Sequence, residues 1–337
     1  MSEAAGTAGA PVLRVEGLTT EFRIRGEWHA AVQGVSFDLA RGETLAIVGE
    51  SGCGKSITAL SVMGLVPPGA GRIAAGRILL EGRDLVPLSE PEMEKVRGNR
   101  VSMIFQEPMT SLNPVLPVGF QVAESLHYHR NLGRAEARRT ALALFDQVKI
   151  PSAARRFDDF PHQFSGGMRQ RVMIAMALAC NPAVLLADEP TTALDVTIQA
   201  QVLALLAEVR EAYGMAMVFI THNLGVVASI ADRVMVMYAG QVVETAPIDA
   251  VFARPTHPYT EALLSSIPRV DRDTAELQAI GGQVPPITGM PPGCRFADRC
   301  RHVEARCRVA VPPLTRLPDE PAHQVRCWVR GGTEVVQ

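Results

Sequence analysis

Residues 44–56 read Thr44-Leu-Ala-Ile-Val-Gly49-Glu-Ser-Gly-Cys-Gly-Lys55-Ser56, and an apolar helical pattern follows over 57–65. A short β-prone run, a glycine loop of the form G-x-x-x-x-G-K-[ST] and a helix start stand in the order that a phosphate-binding loop requires. Gly49, Gly52 and Gly54 carry no Cβ, so the loop through Glu50, Ser51 and Cys53 can curl its N–H groups around phosphate oxygens. The helix N-terminus adds a favourable partial charge. Lys55 is placed to reach the outer phosphates, and Ser56 can offer its hydroxyl to Mg²⁺. The bland alternative is a chance glycine turn, which the strand before and the helix after disfavour.

The bulk of the chain agrees with an α/β protein built around that loop. With 337 residues and 47% hydrophobic content it can bury a large core, as two domains or as one domain with a sizeable extension. The 33 basic and 35 acidic residues nearly cancel, so overall charge points neither to nucleic acid nor to an anionic membrane as the main partner. Residues 1–10 are small and Gly/Ala-rich, lack the basic start and apolar run of a secretory signal, and read as a disordered tail. The longest apolar runs, such as 172–180, fall far short of the roughly 20 residues of a membrane-spanning helix.

Short β-branched runs at 12–18, 35–39, 44–48, 77–80, 101–105, 184–187, 217–221 and 234–238 alternate with helical patterns, which argues a buried sheet in a layered α/β fold. Over about 108–168 the strands stop and helices such as 120–129 and 134–148 take over, so a helical subdomain is expected within the sheet domain 11–255. After Gly240 a short strand (241–244) gives way to rising Pro and Gly density, read as a linker to a small module within 256–337.

Two further motifs carry chemistry. The apolar run 183–187 ends in Asp188-Glu189-Pro190, which puts two carboxylates at the C-terminal edge of a buried strand. Asp188 there can hold Mg²⁺, and Glu189 can orient and deprotonate a water attacking the γ-phosphate. An acidic pair capping a turn is the alternative. Ser165-Gly166-Gly167 stands before the helical stretch 168–179, a helix start with N–H groups free for an anion.

The frame Phe164-Ser-Gly-Gly-Met-Arg-Gln-Arg171 resembles the signature of ABC ATPases, usually L-S-G-G-Q, and the resemblance runs from residue 12 to about 255. It implies a P-loop NTPase fold with a RecA-like mixed sheet core and an inserted helical subdomain. It also implies that Ser165, Gly166 and Gly167 contact the γ-phosphate held by a second ATPase subunit. By the same resemblance Gln106 is the Q-loop glutamine sensing Mg²⁺ and the attacking water, and Leu194-Asp195 is the D-loop. His222 is the switch histidine, and Phe22 is the aromatic that stacks on adenine. Met168 and Gln163 depart from the commoner Gln and Glu of the signature region, and neither removes a phosphate ligand.

Gln106-Glu-Pro-Met-Thr-Ser-Leu-Asn-Pro114 and His257-Pro-Tyr-Thr-Glu-Ala-Leu263 look like the peptide and nickel importer branch. Membership implies ATP hydrolysis energising dipeptide or oligopeptide uptake at the cytoplasmic face of the membrane. The implied partners are a second, related ATPase subunit, two transmembrane permease subunits and, indirectly, an extracytoplasmic solute-binding protein, with no nucleic acid. Nickel or another small solute is the alternative cargo. A soluble ABC ATPase acting on DNA or ribosomes is the rival class, but such chains usually carry two cassettes or long coiled coils.

Cys53 and Cys180 stand alone, whereas Cys294, Cys300, Cys307 and Cys327 are spaced C-x5-C-x6-C-x19-C with His323 nearby. In a chain without a signal peptide such a group points to a metal before disulfides. Four thiolates can close a tetrahedral Zn²⁺ site or hold a [4Fe–4S] cluster. The resemblance to the C-terminal segment of dipeptide and oligopeptide ATPases implies the iron–sulfur cluster.

Overall fold

The structure, a computed structural model, describes residues 10–106, 111–192, 194–266 and 280–336. The 107–110 part of the importer fingerprint therefore lies outside the described residues, as does much of the expected linker (267–279) and the expected tail through residue 9. The chain divides into two units. One takes the residues up to 14, 38–43 and 79–218, and the other takes 15–37, 44–78 and 219 onward, each within the described residues.

In the second unit the strand Thr44–Val48 is buried at every residue. It runs parallel to Arg233–Tyr238, pairing Leu45 with Arg233 and Val48 with Val236. A strand covered on both faces needs apolar residues at successive positions rather than alternation, as Leu-Ala-Ile-Val supplies. Arg233–Tyr238 turns back through Ala239 and Gly240, both at positive φ, into the antiparallel strand Gln241–Pro247. The sheet is thus mixed.

The same unit holds the chain's last strands. Glu320–Val325 adds antiparallel to Gln241–Pro247, with Glu244 opposite Val325, and Thr315–Leu317 and then Glu334–Val335 follow outward. The residues past Gly240 thus share one compact unit and one sheet with the phosphate-loop strand. A common core joins them: Val48, Val234, Val236, Tyr238, Tyr259 and Phe296 belong to one buried cluster. Three of its rings stack edge-on or tilted, with centroids 4.7 Å (Tyr238 and Tyr259), 5.2 Å (Tyr238 and Phe296) and 5.4 Å (Tyr259 and Phe296) apart.

The first strands are longer than the short runs expected at 12–18 and 35–39. Leu13–Ile24 and Glu27–Leu39 are neighbouring strands joined by the two-residue turn Arg25-Gly26, whose φ of 51° and 93° suit a tight hairpin. Their outer parts are polar and half-exposed, so they lack the apolar period that reveals a strand. Trp28, on the second arm, is covered by the Arg72 guanidinium 4.2 Å from its ring.

In the first unit Val101–Ile104 and Val184–Asp188 pair in parallel, from Val101 with Val184 to Ile104 with Ala187. The helices Val118–Arg130 and Arg134–Gln147 pack on each other, and both pack on Gly166–Leu178. Val122, Leu126, Ala141, Phe145, Val172 and Ile174 are their buried apolar residues. The turn between the first two helices passes through Asn131 at φ 53°. Among the described residues no helix is long and apolar enough to cross a membrane.

Candidate nucleotide site

The phosphate loop leaves its strand at Gly49, where an added Cβ would lie 2.2 Å from the Met237 carbonyl oxygen, a backbone atom that cannot yield. Glycine is required there by close approach alone. Gly52 and Gly54 sit at φ 78° and 103°, and Gly54 is the residue before the helix Lys55–Val62. The Lys55 side chain is buried and folds back over the loop, its Nζ donating to the carbonyls of Gly49 (2.8 Å) and Glu50 (3.1 Å). The Cys53 thiol is buried beneath it, and burial raises its pKa. A neutral thiol there packs the loop rather than serving as a nucleophile.

The loop is braced from outside by two residues the sequence reading did not single out as ligands. The Glu50 N–H donates to Tyr259 Oη at 2.8 Å. The Glu50 carboxylate is held by both Nη atoms of Arg299, at 2.7 and 2.9 Å. Tyr259 lies in the fingerprint 257–263 and Arg299 in the cysteine frame 293–300, so a physical role now attaches to each. The only available signal was the presence of those motifs, because neither pairing has a local period.

His222 follows the strand Ala216–Thr221 and is exposed; next to it, Asn223 donates its N–H to Thr221 Oγ1 at 3.0 Å. Phe22 is half-buried and packs beside Gly71 and Val66: a Cβ on Gly71 would lie 3.0 Å from the Phe22 ring.

In the first unit Asp188 ends its strand and is buried, and Glu189 follows at φ 46°, a left-handed conformation costly for a non-glycine residue. Two side chains fix that carboxylate. Gln106 Nε2 donates to Glu189 Oε2 at 3.3 Å, and Thr192 Oγ1 donates to the same oxygen at 2.9 Å. The structure therefore brings the expected base and the expected sensor together and adds Thr192 as a second holder.

Ser165 caps the helix Gly166–Leu178, its Oγ accepting from Met168 N at 3.3 Å. Gly167 lies against Ile198, which an added Cβ would approach to 2.7 Å. Asp195 likewise caps Val196–Tyr213, its Oδ1 accepting from Ile198 N at 2.9 Å.

Among the described residues no group of three or more His, Cys, Asp or Glu is arranged to hold a metal ion. The expected site at Cys294, Cys300, Cys307 and Cys327 is thus corrected as far as a single ion such as Zn²⁺ is concerned, since Zn–S bonds of about 2.3 Å need all four sulfurs on one small sphere. His323 is not poised as a ligand either. It is fully buried with Nε2 at 2.6 Å from Glu244 Oε1 and Nδ1 at 3.1 Å from Glu320 Oε2. All four cysteines are free thiols. Burial pushes the Cys294 thiol up to about 11, and the charges of Cys327, Cys307 and Cys300 push it the same way, so Cys294 stands within electrostatic reach of the other three. The backbone of Cys294 donates to the Cys307 carbonyl at 2.7 Å, and the Cys300 sulfur accepts from His302 N at 3.4 Å.

Residues 32–192 match the family described as ABC transporter, and residues 243–307 match the family described as oligopeptide/dipeptide transporter, C-terminal region. The chain is 52% identical to the oligopeptide transport ATP-binding protein AppD of Bacillus subtilis, covering 94% of this chain and 96% of that one. It is 50% identical to the dipeptide transport ATP-binding protein DppD of the same organism, covering 95% of each. Among solved structures it is similar to the dimeric ATP-binding cassette MJ0796 in a post-hydrolysis state with ADP and Pi, with a TM-score of 0.63 and 27% identity over 70% of this chain and 98% of that one.

Proposed function

The chain belongs to the ATP-binding subunits of ABC transporters of the oligopeptide/dipeptide type and is an ATPase, and from that premise we propose that it energises import of dipeptides or oligopeptides through a membrane permease. The observation that carries the chemistry is the Glu189 carboxylate held by Gln106 and Thr192. A carboxylate held in place by neighbouring side chains is positioned to act as the base for an attacking water. Lys55 and the N–H groups of the loop take the negative charge of the phosphates once Lys55 turns from the loop carbonyls toward them.

The Mg²⁺ ligands we assign, Ser56, Gln106 and Asp188, all offer oxygen, as that hard cation prefers. Bound there, Mg²⁺ neutralises phosphate charge. Ser165, Gly166 and Gly167 are assigned to the γ-phosphate of a second ATPase subunit, Asp195 to the interface between the two, His222 to the γ-phosphate and Phe22 to the adenine. Two permease subunits and an extracytoplasmic solute-binding protein complete the assembly, with this chain peripheral on the cytoplasmic face.

We further assign the four late thiols to a [4Fe–4S] cluster. Each cysteine of such a cluster binds its own iron, so the sulfurs stand farther apart than around one ion, and the electrostatic reach of Cys294 to the other three thiols and the freedom of all four from disulfides fit that use. Protein purified without oxygen should be brown and contain iron and acid-labile sulfide; colourless protein with stoichiometric zinc overturns the assignment. Transport in liposomes holding the full complex tests the cargo. Uptake of peptides but not Ni²⁺ is expected, and ATP-dependent Ni²⁺ uptake without peptide uptake overturns peptide import.

A further inference from the structure

Beside the phosphate loop lies a cavity of about 150 Å³. One end is the loop itself, at Gly52, Gly54, Lys55 and Ser56. The rest of the lining is apolar. Ala31, Ile57, Ala239, Pro285, Ile287 and Met290 supply it. Phosphates belong at the end where backbone N–H groups and Lys55 gather, and an apolar wall suits the flat face of a base. On the reading of residues 49–56 as a nucleotide site, we infer that Pro285, Ile287 and Met290 form the wall against which the base of the bound nucleoside triphosphate packs. Phe22, the aromatic assigned to the base by resemblance, is not among the described residues that line this cavity.

The wall is anchored from both sides. Arg299 holds its start, with Nε donating to the Gly281 carbonyl at 2.9 Å and Nη2 to the Ile280 carbonyl at 3.1 Å, while its Nη atoms also grip Glu50 of the loop. Met290 packs on the buried cluster that contains Val48 and Tyr238. Arg295 in turn donates to the Ala239 carbonyl and to Gln33 Oε1. Gln33 N donates to the Gly240 carbonyl at 2.9 Å, and a Cβ on Gly240 would lie 2.4 Å from the Ala31 oxygen, so the two backbones are locked in close contact. One stretch of chain, 280–299, thus sets both the distance of the wall from the loop and the position of the loop residue Glu50. A segment outside the phosphate-loop motif becomes part of base recognition.

The test is the affinity of the full-length protein for ATP and for inorganic tripolyphosphate, which shares the phosphates and lacks the base. In the double variant Ile287→Ala/Met290→Ala, ATP should bind about tenfold or more weakly while tripolyphosphate binds as to the parent. Met290→Leu, which keeps the apolar volume, should bind ATP within about twofold of the parent. Unchanged ATP affinity in the double variant, or equal losses for ATP and tripolyphosphate, overturns the wall. Parent protein that binds neither compound instead overturns the nucleotide reading on which the wall rests.

Discussion

Arg299 and Glu50, 249 positions apart in the chain, form a two-pronged ion pair at 2.7 and 2.9 Å that ties residue 299 to the phosphate loop. The guanidinium also donates to Tyr238 Oη at 3.3 Å, and the pair with Glu50 holds its pKa well above the ordinary arginine value despite the burial that opposes it. Removing Arg299 leaves a partly buried carboxylate beside the place where phosphates bind. Arg299→Ala should therefore weaken ATP binding about tenfold and cost about 1–2 kcal/mol in stability. Arg299→Lys should recover only part of either, because an ammonium cannot make the parallel pair of bonds. Calorimetric ATP titration and thermal melts read both effects, and a lysine variant indistinguishable from the parent would sink the geometric role.

Glu189→Gln keeps the shape of the side chain and its bond from Thr192 but removes the carboxylate proposed as the base. ATP binding should persist while turnover of the assembled transporter falls by about a hundredfold or more. Thr192→Val removes only the 2.9 Å bond that fixes the carboxylate, so a smaller loss, about tenfold in kcat with little change in KM, is expected. Steady-state hydrolysis at saturating ATP decides; a Glu189→Gln enzyme of normal rate would show that the base lies elsewhere.

The loop, the acidic pair and the helix starts were legible because each is a local pattern. Leu45 to Val48 announces a buried strand, three glycines announce a tight loop, and Ser165 and Asp195 announce helix caps that the structure shows bonded. What closes the site was not legible. Glu50 meets Arg299, and Glu244 meets His323 over 79 positions, and no period within a window of ten or fifteen residues encodes such pairings. The hairpin Leu13–Ile24 with Glu27–Leu39 was hidden for another reason: its arms are polar and half-exposed, so their alternation is weak. The grouped cysteines were plain in the sequence, but their spacing could not say that no single ion fits between them.

Two buried histidines should make stability peak near pH 6.5. Burial opposes a charge on His323, but the hydrogen bonds and charges of Glu244 and Glu320 outweigh it and hold its pKa above 6.5. Its stabilisation is complete below the unfolded value and is lost as pH rises through the raised one. Burial pulls His257 the other way, to about 4. Its neutral form caps its own helix, Nδ1 accepting from Tyr259 N at 3.1 Å, so stability drains away as pH falls from 6.5 toward 4. Melting temperature measured across the range should rise and then fall, and His323→Gln should flatten the alkaline side. A parent curve that climbs steadily into alkaline pH contradicts this account.

Ending the chain at residue 312 should expose what the last strands cover. Glu320–Val325 pairs with Gln241–Pro247, and Arg326 adds bonds from its backbone to the Val243 carbonyl and from Nε to the Val242 carbonyl, both at 2.8 Å. Without them Gln241–Pro247 becomes an open sheet edge, one strand removed from the phosphate-loop strand Thr44–Val48, and a template for association. The truncation also strips His323 from the buried Glu244 carboxylate, which is left with only the Thr256 and His257 N–H groups, at 2.7 and 2.9 Å, of the donors described here. Breaking a buried pair from one side costs about 3–5 kcal/mol, so the shortened protein should melt well below the parent and aggregate. His323→Ala in the full chain separates the two effects, because it removes the charge partner and keeps the edge covered. It should lower the melting temperature without aggregation, as light scattering during the melt will show. A truncated protein as stable and monomeric as the parent would mean that the terminal strands merely decorate the sheet.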